Sequence, residues 1–141
     1  MSAAEGFARP AILRRLAAMA YESVLLSGVL AVTLVLPHVL IAAFAHRLAT
    51  AAVLWAHLFL VLLIYFIAFW SHGGQTLAMK TWRIRLVTRD GQAVRPTQAL
   101  LRYLFGWLTL APGGIGILWA LVDRDRQFLY DRLAGTRLVM A

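Results

Sequence analysis

The sequence predicts an all-α integral membrane protein. It has two full transmembrane helices, a third apolar segment that is a broken or re-entrant helical hairpin, and a small cytoplasmic β-ribbon. Three observations predict it. Of the 141 residues 62% are hydrophobic and 14% charged, with a mean hydropathy of +0.75, whereas soluble domains run near half apolar and a quarter charged. Two uninterrupted apolar runs have the length of a bilayer crossing. The basic residues flank those runs, as the positive-inside rule expects. At this length the chain forms one domain whose core is shared with lipid.

The net charge is +8. In a soluble protein such an excess would suggest nucleic acid, but here the aromatics lie inside apolar segments and no RNA- or DNA-binding signature is present. The lipid bilayer, and its anionic lipids in particular, is the expected partner. There is no cysteine, which excludes disulfides and thiolate chemistry.

Residues 1–15 form a cytoplasmic arm ending in Arg14 and Arg15. Residues 16–36 are the first transmembrane helix, about 31 Å long at the α-helical rise. Pro37 and His38 are expected to end it, leaving residues 37–49 as a short connection with one arginine, Arg47. Ala43-Phe44-Ala45 has the form of a cleavage site, but the run before it exceeds the usual signal-peptide core and carries Glu22, which argues against cleavage. Residues 50–70, TAAVLWAHLFLVLLIYFIAFW, are the second transmembrane helix, closing on an aromatic belt.

Residues 71–98 hold Lys80, Arg83, Arg85, Arg89 and Arg95. Together with Arg9, Arg14 and Arg15 they place the N-terminus and this loop in the cytoplasm, in a cell's inner membrane. Ser71-His72-Gly73-Gly74 breaks the helix, and QTLAMKTW is expected as a short surface helix. WRIRLV alternates, with Trp82, Ile84 and Leu86 on one face and Arg83 and Arg85 on the other. Asp90-Gly91 then predicts a hairpin turn into AVR. The third apolar segment, residues 99–122, contains Arg102 and is interrupted at Pro112-Gly113-Gly114. A single crossing would carry Arg124, Arg126, Arg132 and Arg137 to the outside, against the charge rule, so a returning path is expected. The tail, residues 123–141, is then cytoplasmic. Its GTRLVMA is β-like and can pair with WRIRLV only if both lie on one side. Asp131 precedes a helix end with Gly135 at the C-cap, and the mixed charges of residues 123–132 read as a clamp joining tail to loop.

Glu22 is the central candidate, because a charge at mid-helix in hydrocarbon costs roughly 2.5–3.5 kcal/mol. Arg15 lies two turns before it on the same face, with Glu22 about 9 Å deeper. Arg102 enters to a similar depth, about 6 Å, and is expected to meet Glu22. The functional reading is a proton- or cation-exchanging carboxylate tuned by a nearby arginine, and the plainer one is a static ion pair. His57 and Tyr65 are secondary candidates that would continue a proton path from Glu22, although a neutral His57 bonded to a helix carbonyl fits as well. Gly73, Gly74 and Lys80 are candidates for a lipid headgroup nest, against a simple helix break. His38 and His46 lack the third donor a metal needs. Ala20, Ser23, Ser27 and Ala31 form a small-residue stripe suited to helix contact within the chain or in a homo-oligomer.

These residues together resemble a known family. Arg15 with an acid seven residues on, IYFIAFWSHGGQTLAMKTWRIRLV, ALLRYLFGWLTL and LWALVDRDRQFLYDRLAGT are similar to the RDD family of small membrane proteins, over roughly residues 9 to 140. The DRLAGT and GGQT stretches are the most specific parts. Arg15 matches the family's arginine at the start of the first membrane helix. Glu22 stands where the family has an aspartate, which keeps the charge and lengthens the reach by one carbon. Asp131 matches the second aspartate. The resemblance implies transport, with some members linked to cation/proton antiport. The expected function is a small transporter using the intramembrane carboxylate. The alternative is a non-transporting accessory or scaffold that oligomerises or binds a membrane partner. No enzyme, catalytic residue, cofactor or metal is expected, since no nucleophile–base pair or ligand set is visible.

Overall fold

The first apolar run stays helical beyond the proline expected to stop it. In the computed structural model, which describes residues 8–141, α1 (Ile12–Leu30), a π-helical turn (Ala31–Val35) and α2 (Leu36–Ala45) form one unbroken 34-residue helix. The predicted end at Pro37 and the 37–49 connection are therefore corrected. A proline inside a helix removes one N–H and crowds the carbonyl four residues back. The π turn relieves both problems. The Leu36 N–H bonds to the Ala31 carbonyl five residues back, and Pro37 falls in the first turn of α2, where its missing N–H is no loss. The connection shrinks to residues 46–50, with His46 in the left-handed conformation at φ 51°. The Thr50 hydroxyl then caps α3 (Ala51–Ser71) by accepting from the Val53 N–H.

This long helix and α3 are the two helices long and apolar enough to cross a membrane. At about 50 Å by helical rise, the first is longer than the ~30 Å hydrocarbon core. Its first turns therefore project beyond α3 and pack against α4 (Leu77–Thr81). Its small-residue stripe faces outward, and Ser23 and Ser27 turn their hydroxyls back to their own helix carbonyls.

The third apolar segment is broken, as the sequence predicts. α5 (Pro96–Leu110) and the stretch Ile115–Leu121, made of α6 (Ile115–Leu118) and a 3₁₀ turn (Trp119–Leu121), meet at 102°. Gly113 and Gly114 both take φ 79°, which only glycine adopts freely. Gly116 lies against Thr109 and Tyr130, so closely that a Cβ there would collide with the Thr109 hydroxyl. α5 packs along α3, with Tyr103 against Phe59 and Phe66.

The chain then returns. α7 (Leu129–Ala134) lies on α5, and β2 (Thr136–Met140) pairs with β1 (Ile84–Thr88) in an antiparallel ribbon running from Ile84↔Met140 to Thr88↔Thr136. The tail thus lies beside the 71–98 loop, as the returning path requires. The predicted hairpin into AVR is corrected. The Asp90-Gly91 turn does form, with the Gly91 N–H bonding to the Thr88 carbonyl at 2.9 Å. Pro96 then starts a helix, and AVR is too short to ladder before it, so the distant tail supplies the second strand. Ile84 and Leu86 face the core and Arg85 faces out, as the alternation predicts. Arg83 takes φ 54° and lies outside the strand. Two apolar clusters hold this cap together. One centres on Trp70, Met79, Ile84, Leu86 and Tyr103, the other on Ala120, Phe128 and Tyr130.

Candidate functional site

On α5, Ala99, Arg102, Tyr103 and Thr109 share a buried face at helical spacing. Arg102 there meets Asp131 of α7, with Nε donating to Oδ1 at 2.5 Å. Asp131 is 1% exposed. The guanidinium lies 4.1 Å from the Trp70 ring centroid and 5.0 Å from that of Tyr130. Burial, and then the Asp131 carboxylate, hold the Tyr130 phenol above its ordinary pKa, while Arg102 and Arg15 pull it down. Asp131 is thus an internal member of the cluster and not only part of the surface clamp. That clamp is separate: Arg132 bonds Asp123 at 2.9 Å and Asp125 at 3.6 Å, Arg9 reaches Asp125 at 3.2 Å, and the Arg89 side chain donates to the Arg132 carbonyl at 2.9 Å.

Arg15, Ala18 and Glu22 share the buried face of α1. The small Ala18 lets α4 approach, and that brings Thr76, the N-cap of α4, to Glu22. The Thr76 hydroxyl donates to Glu22 Oε2 and accepts from the Met79 N–H. The Tyr65 hydroxyl donates to Glu22 Oε1 at 2.5 Å. Among the described residues no Arg, Lys or His lies within salt-bridge distance of Glu22. The expected Glu22–Arg102 pair is corrected: the return of α7 onto α5 gives Arg102 a nearer acid.

Arg15 donates from Nη2 to the Arg126 carbonyl at 2.5 Å and stacks 4.7 Å from the Phe128 centroid. Its Nε is buried and makes no hydrogen bond, as does Trp70 Nε1. Arg15, Glu22 and Arg102 all line one cavity of about 460 Å³ between α1, α3 and α5. Its remaining walls are mostly apolar, among them Leu26, Leu62, Phe66, Trp107 and Leu110. Sequence reasoning missed Thr76, Trp70, Phe128 and Tyr130 as partners of the charged groups. Thr76 carried one usable signal, a threonine placed to cap QTLAMKTW.

The remaining candidates lie elsewhere. His57 bonds His38 across the two long helices, Nδ1 to Nε2 at 3.0 Å, eight residues before Tyr65 on α3. Gly74 is packed on β1, its carbonyl accepting from the Leu86 N–H at 2.8 Å, and a Cβ there would collide with the Leu86 carbonyl. Gly73 and Lys80 are exposed. Among the described residues no group of three or more His, Cys, Asp or Glu stands together to hold a metal ion.

Comparison with known proteins places these residues in context. The sequence model of the RDD family matches residues 9–135, which takes in Arg15, Glu22, Arg102 and Asp131. An uncharacterized protein of Rickettsia prowazekii (strain Madrid E) is 35% identical over 82 residues. That match covers 57% of this chain and 44% of the relative, so the chain spans less than half of that protein's length. No solved structure matches the chain.

Proposed function

The chain belongs to the RDD family, and from that premise we propose that it is a multi-pass inner-membrane transporter that exchanges a proton at Glu22. One observation carries this reading. Glu22 is 8% exposed, lines a cavity, and among the described residues is held by two hydroxyl groups alone. A carboxylate kept for a static ion pair would face a guanidinium. Here Asp131 already meets that need of Arg102, so Glu22 is left to gain and lose a proton. Tyr65 and Thr76 orient it, each donating one hydrogen bond. The counter-ion to test first is an alkali cation, as the family association suggests.

The proposed orientation has the N-terminus in the cytoplasm. It is supported by the fold's collection of the loop, the tail and the start of the first helix into one cap, with Arg47 left at the opposite end. A non-transporting accessory role is the second reading. It draws on the small number of spans, two or at most three, which would oblige a transporter of this size to work as a homo-oligomer or with a membrane partner.

The deciding experiment is proton flux in proteoliposomes with a pH-sensitive dye and pulses of Na⁺, K⁺ or Li⁺. Transport predicts cation-dependent flux in the wild type and its loss in Glu22→Gln. Absence of flux from folded wild-type protein under every ion would overturn transport in favour of the accessory role.

A further inference from the structure

The cavity between α1, α3 and α5 has a chemical asymmetry that proton exchange does not use. One end presents two guanidinium groups, Arg15 and Arg102, while the walls are hydrocarbon and aromatic. Arg102 spends Nε on Asp131, and Arg15 spends Nη2 on a carbonyl. Among the described residues their other guanidinium nitrogens make no hydrogen bond, and Arg15 Nε is buried without a partner on a residue 6% exposed. Stacking on Phe128, Trp70 and Tyr130 occupies the faces of these groups and leaves their in-plane donors free. Free donors in a guanidinium plane match a carboxylate or phosphate. The one acid on the cavity wall, Glu22, has both oxygens engaged by hydroxyl donors.

The cleft is also open at its side. α5 packs along α3, whereas the first helix approaches α3 chiefly at its π turn. Ser23 of α1 and Ala111 at the end of α5 both line the cavity and are both exposed. A hydrocarbon chain in the bilayer can therefore enter laterally. At about 460 Å³ the cavity has the size of a small-molecule site, smaller than a two-chain phospholipid.

We propose that this cleft binds a single-chain anionic lipid of fatty-acid type. Its head bonds Arg15 and Arg102, and its acyl chain lies along Leu26, Phe66, Trp107 and Leu110. The proposal stands apart from transport, since it requires only the cavity and its two cations.

The test is native mass spectrometry of the full chain released from a non-ionic detergent, with oleate as probe and oleyl alcohol as the uncharged control of equal chain length. Gly106 lines the cavity on α5, and a Cβ added there meets nothing within 4 Å, so Gly106→Phe puts a ring into the space one turn beyond Arg102 without removing either arginine. The wild type is expected to carry one saturable oleate adduct and no comparable alcohol adduct. Gly106→Phe and Arg15→Gln should each weaken oleate binding by about tenfold or more, and Arg15→Lys should restore part of it. Equal retention of oleyl alcohol would overturn the charged-head assignment. Undiminished oleate binding by Gly106→Phe of unchanged thermal stability would overturn the cavity itself. Gly106→Phe removes no charged group, so the question is decided even if Arg15→Gln fails to fold.

Discussion

Asp131 is 1% exposed and Glu22 8%, but the two carboxylates are held by different chemistry. Asp131 faces a full counter-charge, Arg102 Nε at 2.5 Å, inside a shell of Trp70 and Tyr130 and away from the cavity. Glu22 faces two hydroxyls and borders the cavity. A buried ion pair is costly to assemble and costly to break, because removing one charge strands the other in a low dielectric. A carboxylate held by hydroxyls strands no buried cation when its charge is removed, because a hydroxyl can both donate and accept. One acid therefore reads as a fixed joint between α5 and α7, and the other as a group whose charge can be removed without stranding a partner.

The largest effect expected from this contrast is at the joint. Asp131→Asn keeps an oxygen for Arg102 but leaves the guanidinium uncompensated, and should cost about 3–5 kcal/mol in detergent-based unfolding. Arg102→Ala should cost a similar amount, and the double variant should fall well short of the sum. Full additivity would show that the two side chains do not act as a pair. A smaller effect is expected at Thr76, which ties Glu22 to the cap while also capping α4. Thr76→Val removes both bonds and should cost about 1–2 kcal/mol, while Thr76→Ser should retain most of the stability.

The contrast was only half visible in the sequence. The membrane class, the two apolar helices, the break at Pro112-Gly113-Gly114 and the Gly135 helix end all follow from local composition, and local rules govern them. Pro37 misled because a single π turn, a backbone adjustment with no residue signature, carries the helix past it. The ribbon's second strand lies about fifty residues from the first, and only the return of the chain explains it. Counting residues inward from the membrane edge matches Arg102 to Glu22. Depth along each helix does not say which helices touch, and α7 reaches α5 before α1 does. Thr76 is not legible as a partner of Glu22, because the sequence places residues 71–98 outside the membrane. The overhang of the first helix brings Glu22 down to that loop. Arg15, Glu22, Arg102 and Asp131 were all legible as charged residues out of place, but the pairing among them is tertiary information.

The sharpest use of the contrast is to make the same chemical change in the second carboxylate. Glu22→Gln, like Asp131→Asn, replaces one oxygen by an amide nitrogen and removes one charge. Here no cation is stranded. The amide oxygen still accepts from one hydroxyl, and its NH₂ can donate to the other, since Thr76 and Tyr65 each carry a free lone pair. The stability cost should therefore be at most about 1 kcal/mol, several-fold below that of Asp131→Asn under the same conditions. If the two substitutions cost the same, Glu22 is a structural charge after all, its partner being a guanidinium that moves to meet it, and any loss of flux in Glu22→Gln would then report a damaged fold. If Glu22→Gln leaves stability nearly intact and flux absent, the function of this carboxylate lies in its proton, and the fold is carried by the other.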